Sequence, residues 1–343
     1  ILFIMKVFKP FCSLVIALFF FSCQQESKPT FFIIQGEAQG STYAIKYIAT
    51  EEVTSKKEID SLLTAFDLSL STYRPDSKIT KINAGDSTVV VDDFFVKTFE
   101  VSNQIFQETN GLFDPTIGVL VNAYGFGPNK KSVNLSPSQI DSTLQYVGFD
   151  KVKLNEDNTI SKTHKQTYFD FNAIAQGYSV DVVVDFLKSK GIENAIVEIG
   201  GELFALGKNM IENKNWVVGI DDPLQTPEER KLIAKVNLEN LGMATSGNYR
   251  KVMIDEKTGE KFVHIINPKT GLSQKGNILS ATVLAKNGAL ADGYATAFMV
   301  MTLEESKTFL QNHPELYVML LYTDAENQMQ QYLTDNFKKL IIE

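Results

Sequence analysis

Apolar residues recur along the chain at two spacings, and each spacing predicts a different kind of element. Across residues 31–48 they alternate with polar residues around Gly36 and Gly40, which predicts two strands joined through these glycines. Across residues 51–70 they recur every three or four positions, which predicts an amphipathic helix with Thr54 as its N-cap. The folded part of the chain is therefore expected to begin with two strands and a helix.

Both patterns continue through the rest of the chain. A second amphipathic helix is predicted at residues 92–110, followed by a loop rich in glycine and aromatic residues. The other predicted strands lie at residues 168–171, 195–207 (with a turn at Gly200-Gly201), 216–220, 234–236, 262–266, 280–285 and 317–322, and the other helices at 175–191, 290–302 and 304–312. Strands and helices alternate without the regular rhythm of a doubly wound sheet. The predicted fold class is α/β of the mixed α+β kind, in a single domain.

The first two dozen residues follow a pattern typical of a secretory signal peptide. Two lysines follow Met5 and precede an apolar stretch at residues 11–21, which is too short for a spanning helix of ~20 residues. We therefore predict a signal peptide at residues 1–22 and a folded domain at residues 31–343.

Cys23 ends this segment, in a run Phe-Phe-Ser-Cys that resembles a bacterial lipobox. We predict that Cys23 is lipidated and becomes the mature N-terminus, with residues 23–30 as a polar tether. The alternative is an ordinary cleaved signal beside a stray cysteine. A lipid would hold the protein on a membrane without a spanning segment. The predicted location is the bacterial cell envelope, as a membrane-anchored lipoprotein that faces the periplasm.

Composition excludes several kinds of chemistry. The formal net charge is −8 and Lys and Arg form no cluster, which argues against nucleic acid as a partner. Cys12 lies inside the predicted signal and Cys23 would carry the lipid, so the mature chain would have no thiol for a disulfide, a nucleophile or a zinc site. The sequence also lacks the G-x-G-x-x-G and G-x-x-x-x-G-K-[ST] nucleotide-binding motifs.

The best candidate metal site by spacing is the run ALADGYATAF. Asp292 and Thr296 are four residues apart, so on a helix their oxygens project from one face. A carboxylate with a hydroxyl suits a hard cation such as Mg²⁺, which keeps water and substrate phosphate as its other ligands. The structural alternative is a helix cap at Asp292 and a half-buried Thr296, and spacing alone leaves both open.

Other short motifs are equally open when each is taken alone. His264 stands beside a proline-containing turn in HIINPKTG, where a structural role competes with a catalytic one. Asp114 directly precedes a proline, as residues that start turns often do. The glycine pair before Glu202 fits a hairpin turn. The Thr-Ser-Gly run at residues 245–247 could carry a nucleophile, but no base is adjacent in the sequence.

The order of the motifs decides what single motifs leave open. Taken together, they resemble the ApbE family of FAD:protein FMN transferases, many of which are periplasmic lipoproteins. The resemblance runs from about residue 36 to residue 301 and rests on eight segments that arrive in family order. These segments are GSTYAIKY, STYRPDSKITKIN, GLFDPTIGVLVNAYGFG, DFNAIAQGYSVD, VEIGGELFALG, ATSGNYRK, HIINPKTG and ADGYATAF.

The resemblance implies one α/β unit related to the T-fold, which binds FAD in an extended cleft with Mg²⁺ at the pyrophosphate. It implies Asp292 and Thr296 as side-chain ligands of the ion, with Ala295 and the backbone carbonyl of Ala173 near or on it. His264 matches the family histidine that is proposed to assist catalysis. The implied flavin contacts are Gln39, Tyr73, Leu112, Phe113, Asp114, Asp170, Gln176 and Ile266.

The chain departs from the family pattern at two of these positions. Family members usually carry Lys where this chain has Gln176, so a role that depends on positive charge is in doubt there. Many members carry Met at the position of Gln39, which makes that contact polar in this chain. Neither departure touches Asp292 or Thr296.

The implied reaction is attack by a Thr or Ser hydroxyl of an acceptor protein on the FMN-side phosphorus of FAD, with AMP as the leaving group. The implied acceptors are flavin-carrying subunits of membrane electron-transport complexes or extracytoplasmic reductases. Two alternatives stay open. One is a Mg²⁺-dependent pyrophosphatase that splits FAD into FMN and AMP, and the other is a lipid-anchored flavin-binding protein without catalysis.

Overall fold

The computed structural model describes residues 28–128, 135–225, 229–247, 252–254, 261–273 and 276–342. The strands are β1 (Thr30–Ala38), β2 (Ser41–Ala49), β3 (Val152–Leu154), β4 (Ile160–Lys162), β5 (Ala195–Ile199), β6 (Glu202–Leu206), β7 (Trp216–Asp221), β8 (Leu232–Leu238), β9 (Leu241–Gly247), β10 (Val252–Ile254), β11 (Lys261–Val263), β12 (Ile278–Ala285), β13 (Tyr317–Thr323), β14 (Met329–Leu333) and β15 (Ile341–Ile342). The helices are α1 (Lys56–Leu70), α2 (Lys78–Asn83), α3 (Asp93–Glu108), α4 (Gly118–Ala123), α5 (Pro137–Leu144), α6 (Ala175–Ser189), α7 (Gly288–Val300), α8 (Leu303–Asn312) and α9 (Asp335–Lys338), with a 3₁₀ turn at Phe149–Lys151.

Most strands belong to one antiparallel sheet with the order β1-β2-β5-β6-β9-β12-β13-β14. The hairpin of β1 and β2 lies at one edge, and its turn places Gln39 at φ 54° and Gly40 at φ 72°. A second sheet has the order β15-β8-β7, and β3-β4 and β10-β11 are short hairpins. The predicted mixed α/β fold class is confirmed.

The large sheet buries apolar side chains on both faces, because successive residues of a strand point to opposite sides. In β12, Ala281 and Val283 pack with the helices, whereas Leu284 packs with the three-stranded sheet. The core on this second face includes Trp216, whose indole Nε1 donates to the carbonyl oxygen of Leu206 at 3.0 Å. The fold therefore has three layers, with helices on one face of the large sheet and the smaller sheet on the other.

Helix α7 lies in the middle of this arrangement. Every residue of α7 except Thr296 is buried. The helix packs on β9 and β12 on one side and on α3 and α6 on the other. Gly293 permits the close approach of α3, since a Cβ there would lie 2.4 Å from Cδ1 of Ile105. Thr296, the one residue of α7 that is not buried, is therefore carried by a helix that packs against neighbours on several sides.

Helix α1 begins later than predicted and has a different cap. The hydroxyl of Ser55 accepts from the Glu58 N–H at 3.3 Å, and the Glu58 carboxylate accepts from the Ser55 N–H at 3.0 Å. The predicted cap, Thr54, instead donates its hydroxyl to the Glu58 carboxylate. The prediction of Thr54 was wrong because a reciprocal capping box needs Glu or Gln three residues after the cap, and Ser55 meets that condition.

Two other local predictions were also wrong. Residues 168–171 form no strand; Tyr168 makes an isolated bridge with Ile117, and the chain then turns into α6. The segment after Gly111, predicted as a loop, contains the short helix α4. Both segments are short and lack a sustained period, so propensity does not separate the states.

The predicted signal peptide at residues 1–22 and the lipidated Cys23 lie outside the described residues, so both stay predictions. No helix in the described part of the chain is long and apolar enough to cross a membrane.

Candidate active site

The N-terminal ends of α6 and α7 meet at a pair of glycines. A Cβ added to Gly177 would lie 2.2 Å from the carbonyl oxygen of Gly288. A Cβ added to Gly288 would lie 2.4 Å from the carbonyl oxygen of Gly177. Both distances are far inside van der Waals contact, so the two backbones touch only because neither residue has a side chain. The crossing brings the first turn of each helix against side chains of the other.

Asp292 lies one turn beyond Gly288 and is only 6% exposed. Its Oδ2 accepts a hydrogen bond from the backbone N–H of Gly177 at 3.0 Å. The first turn of a helix carries unpaired N–H groups and the positive end of the helix dipole, so this position favours the carboxylate anion. Asp292 does not cap its own helix, because Asn287 does so by accepting from the Leu290 N–H. The structural alternative is therefore correct in part: Asp292 caps the start of α6 and not that of its own helix, and Thr296 is half-buried.

Thr296 follows one further turn along the same face of α7. Its hydroxyl oxygen lies 3.3 Å from that of Ser246 in β9. The Asp292 side chain therefore reaches the start of α6, and the partly exposed Thr296 lies against β9. The prediction that both residues stand in one helix, four positions apart, is confirmed, and their pairing as metal ligands stays a prediction.

The remaining predicted metal residues lie close to these two in the chain. Ala173 is in the turn just before α6, and Ala295 is fully buried in α7 beside Thr296. A carboxylate, a hydroxyl and a backbone carbonyl are the oxygen donors that Mg²⁺ prefers. Among the described residues, no group of three or more His, Cys, Asp or Glu side chains could hold a metal ion. The donors thus fit an ion that takes further ligands from water or phosphate, and its ligation stays a prediction.

Gln39 and Gln176 are brought together by Ser179. The Ser179 hydroxyl oxygen lies 2.7 Å from the carbonyl oxygen of Gln176 and 3.2 Å from Oε1 of Gln39. The Gln176 side chain lies over the turn between β5 and β6, where a Cβ on Gly200 would be 2.1 Å from its Nε2. The turn predicted at Gly200-Gly201 therefore also leaves space for a glutamine at the start of α6.

Leu112, Phe113 and Asp114 form the loop between α3 and α4. Phe113 faces α7, since a Cβ on Gly293 would lie 3.7 Å from its ring. Oδ1 of Asp114 accepts from the N–H and hydroxyl of Thr116 at 2.8 and 2.6 Å, and Oδ2 accepts from the Phe149 N–H at 3.1 Å. Burial raises the pKa of Asp114 to about 6, although these donors act to lower it. The Asp114 side chain therefore holds the loop between α3 and α4 in place through hydrogen bonds with Thr116 and Phe149.

Asp170 connects that loop to the start of α6. Its N–H donates to the carbonyl oxygen of Pro115 at 2.7 Å, and its Oδ1 accepts from the Asn172 N–H at 2.8 Å. Tyr73 is 56% exposed, and partial burial together with the charge of Asp170 raises its pKa. An exposed phenol ring near the site suits a ring-stacking contact, and that contact stays a prediction.

His264 and Ile266 lie on a different part of the chain, just beyond β11. The His264 side chain is half-buried, and its ring centroid lies 6.4 Å from that of Phe126 with the rings edge to face. Ile266 packs into a small cluster that contains Leu120, Tyr124 and Val147. The Tyr124 hydroxyl donates to the carbonyl oxygen of Gly271 at 2.9 Å, which ties the segment of α4 to the turn after Ile266.

Comparison with known proteins adds a decisive observation. The ApbE family model matches residues 39–320, which include every predicted flavin, metal and catalytic residue. The chain belongs to the ApbE family.

Individual relatives agree with that membership. A FAD:protein FMN transferase of Haemophilus influenzae is 34% identical over 348 residues, with 98% of each chain covered. The crystal structure of the flavin transferase ApbE from Vibrio cholerae superposes with a TM-score of 0.79 at 31% identity, covering 91% of this chain and 99% of that one. The apbe protein of Thermotoga maritima shares the fold, with a TM-score of 0.78 at 23% identity over 92% of this chain and 100% of that one.

In this ApbE chain the predicted residues fall into two groups. One group surrounds the α6–α7 crossing and its neighbouring loops; it comprises Gln39, Ala173, Gln176, Asp292, Ala295, Thr296 and, through packing on α7, Phe113. The other group contains His264 and Ile266 in the small cluster beyond β11. Asp114 and Asp170 lie in the segments that connect the two groups.

Sequence reasoning missed Ser179 and Asp181 at the crossing, and it considered Ser246 only as a nucleophile. Ser179 lies between the two glutamines, and Ser246 lies against Thr296. Asp181 accepts from the first-turn N–H groups of α7. Ser179 and Asp181 stand inside the segment DFNAIAQGYSVD, and Ser246 stands inside ATSGNYRK, both already recognised in the sequence. Only the packing of α7 on α6 and on β9 reveals what Asp181 and Ser246 touch.

Proposed function

We propose that this protein transfers FMN from FAD to a Thr or Ser hydroxyl of another protein, with Mg²⁺ as the cofactor. Membership of the ApbE family and the named relatives support the reaction class. The observation that carries the proposal is the Asp292 carboxylate at the start of α6, with Thr296 one turn away on the same face. These oxygens, with the Ala173 carbonyl, suit a cation that also binds a pyrophosphate.

The residues of the chain have distinct tasks in this reaction. Asp292, Thr296 and the Ala173 carbonyl would hold Mg²⁺, which when bound neutralises negative charge on the phosphate oxygens. The Gln176 amide can donate a hydrogen bond to a phosphate oxygen without adding charge. Tyr73 offers exposed aromatic surface to the flavin or adenine ring, whereas the ring of Phe113 is buried against α7 and supports the site from behind. With these tasks assigned, the pyrophosphate of FAD would bind at the α6–α7 crossing.

The bond changes follow from the chemistry of the phosphoanhydride that joins the FMN and AMP parts of FAD. The acceptor hydroxyl oxygen forms a bond to the FMN-side phosphorus, and the bond from that phosphorus to the bridging oxygen breaks. AMP leaves with the bridging oxygen, and the proton of the hydroxyl passes to an imidazole nitrogen of His264. Imidazole suits this task because its ordinary pKa lies near neutral pH.

The anchor and the acceptor are part of the proposal. Lipid on Cys23 would hold the enzyme on the envelope membrane, facing the periplasm, through the tether at residues 23–30. Its acceptors would then be flavin-carrying subunits of membrane electron-transport complexes or extracytoplasmic reductases. Metabolic labelling with a fatty acid tests the anchor, because Cys23→Ser should abolish labelling and release the protein from the membrane fraction.

A direct assay tests the reaction. The chain from residue 24 onward is incubated with FAD and Mg²⁺, with and without a purified flavin-carrying subunit, and AMP is quantified. Release of AMP that requires the subunit, with an FMN mass increment on one of its Thr or Ser residues, is the expected result. Equal AMP release without the subunit would indicate a FAD pyrophosphatase, and tight FAD binding without AMP would indicate a flavin-binding protein.

A further inference from the structure

Helices α6 and α7 carry the same short pattern at their crossing. Each has a glycine followed four residues later by an aspartate, Gly177 with Asp181 and Gly288 with Asp292. In each helix the glycine makes the backbone contact, and the aspartate accepts from first-turn N–H groups of the other helix. The two helices therefore hold each other through a reciprocal pair of carboxylates.

Both oxygens of Asp181 accept hydrogen bonds from α7. Its Oδ1 accepts from the Gly288 N–H at 2.6 Å and its Oδ2 from the Ala289 N–H at 2.9 Å. The next two N–H groups of α7 belong to Leu290 and Ala291, and both donate to Asn287. The Ala291 N–H makes the first bond inside the helix. Of the three first-turn N–H groups without a partner inside α7, those of Gly288, Ala289 and Leu290, Asp181 therefore satisfies two.

This arrangement fixes more than the stability of α7. Two oxygens of a single carboxylate define both the height and the rotation of the first turn of α7 relative to α6. Asp292 follows on the next turn and Thr296 on the one after, so a small rotation at Gly288 displaces both oxygens. Metal ligands lose affinity when the residues that orient them are removed, even though those residues never touch the ion.

We infer that Asp181 is a positioning residue, which orients α7 so that Asp292 and Thr296 present their oxygens to the cation together. The inference rests on the proposed Mg²⁺ site, since it assigns Asp181 a role in forming that site. A residue that merely stabilised the fold would change the unfolding temperature and leave metal affinity intact in the folded protein. The two roles therefore predict different measurements.

Mn²⁺ is a suitable probe because carboxylate, hydroxyl and carbonyl oxygens bind it as they bind Mg²⁺. The free ion gives an electron paramagnetic resonance signal that falls as the protein binds it, so affinity is measured with the metal alone, without turnover. Burial raises the pKa of Asp181 to about 7, and the titration is therefore run at pH 8 on folded protein.

Asp181→Asn keeps the shape of the side chain but replaces one acceptor oxygen with an amide donor. The expected result is Mn²⁺ affinity weaker by about 10–100-fold, as for other residues that orient metal ligands. Asp185→Asn is the matched control: the same change on the same helix, one turn later, where the exposed carboxylate pairs with Lys188. Its affinity should equal that of the wild type. Faster amide exchange at Gly288 and Ala289 in Asp181→Asn alone would show the loosened first turn.

Wild-type Mn²⁺ affinity in folded Asp181→Asn would overturn the inference. If that variant does not fold, Asp181→Ser replaces it; a single hydroxyl can accept from one N–H, and the same loss of affinity is expected, with wild-type affinity again overturning the inference. Asp292→Ala separates this result from the proposed function. Unchanged Mn²⁺ binding in Asp292→Ala removes the proposed metal site itself, whereas loss in Asp292→Ala with no change in Asp181→Asn removes only the role of Asp181.

Discussion

The two halves of the candidate site are built in different ways. The half that contains Asp292 rests on two helices whose backbones touch at Gly177 and Gly288, inside the main core. The half that contains His264 rests on short segments: Ile265 joins the main core, while Ile266 belongs to a small second cluster. Closely packed helices hold side chains to narrow positions, whereas loops can change conformation at lower cost.

This difference matches what each half would meet. A cation site needs its ligands placed to within about 0.5 Å of the productive geometry. The acceptor is a protein segment that must enter, present a hydroxyl and leave with FMN attached. The closely packed half with Asp292 would hold the phosphates in place, and the half with His264, which is built from loops, would admit the acceptor hydroxyl. The following predictions separate the two halves.

The largest expected effect comes from Asp292→Ala. Loss of the single carboxylate among the proposed ligands should lower Mg²⁺-dependent kcat/KM by about 1000-fold, or about 4 kcal/mol of transition-state stabilisation. The rate of AMP release with a flavin-carrying subunit measures it. Asp185→Ala, on the exposed side of α6, is the control and should leave the rate unchanged. Unchanged turnover of Asp292→Ala in Mg²⁺ would sink the metal assignment.

The second prediction concerns the loop that Asp114 fastens. The pKa of Asp114 in the folded protein, about 6, lies above the ordinary value of 3.8, so folding favours the protonated form of this carboxyl. Its contribution to stability is therefore complete below about pH 4 and is lost as pH rises through 6. Relative to Asp114→Asn, the wild type should lose up to about 3 kcal/mol of unfolding free energy between pH 4 and pH 7.

Urea unfolding at several pH values measures this difference. Asp86 provides a control of opposite sign, because hydrogen bonds from Thr88 lower the pKa of this exposed carboxyl. The unfolding free energy of the wild type relative to Asp86→Asn should therefore rise, and not fall, as pH increases. A wild-type minus Asp114→Asn difference that stays flat from pH 4 to pH 7 would contradict the raised pKa.

His264→Ala tests the loop-built half. Removing a general base typically costs at least about 100-fold, so turnover at saturating FAD and Mg²⁺ should fall by that factor. Mn²⁺ affinity should not change, because His264 belongs to the other half. His164→Ala is the control, since that ring packs on Tyr146 and has no assigned role. Wild-type turnover of His264→Ala at every pH would remove the base from the mechanism.

The smallest expected effect comes from Gly288→Ala. The new Cβ would lie 2.4 Å from a backbone carbonyl oxygen, which cannot move without moving α6. We expect a loss of about 2 kcal/mol in unfolding free energy. Gly219→Ala is the matched control, because its Cβ would meet only the end of the Leu232 side chain, which is 45% exposed and free to rotate. Equal losses in both variants would argue against a tight α6–α7 contact.

The local parts of this site could be predicted from the sequence. Four-residue spacing places Asp292 and Thr296 on one face of any helix, and the helix was predicted within two residues of its observed start. The glycine turn between β5 and β6 was equally visible. What spacing could not tell was which backbone Asp292 would meet, because its partner Gly177 lies 115 residues away in the chain.

Asp181 illustrates the limit most clearly. It stands in the middle of a helical pattern, where an aspartate is expected to face solvent, and nothing in its neighbours distinguishes it from Asp185. Its partners are the N–H groups of Gly288 and Ala289, which become its neighbours only after α7 folds against α6. Capping by a side chain from another helix leaves no signature in either local sequence.

Trp216 gives these experiments a convenient optical signal. It is the single tryptophan of the chain, and its indole is buried in the layer between the large sheet and the three-stranded sheet. The helices that carry Asp292 and Asp181 lie on the opposite face of the large sheet. Its emission therefore reports whether a metal-free variant has kept its second layer, and substitutions at the α6–α7 crossing that leave the spectrum unshifted can be compared with the wild type as folded proteins.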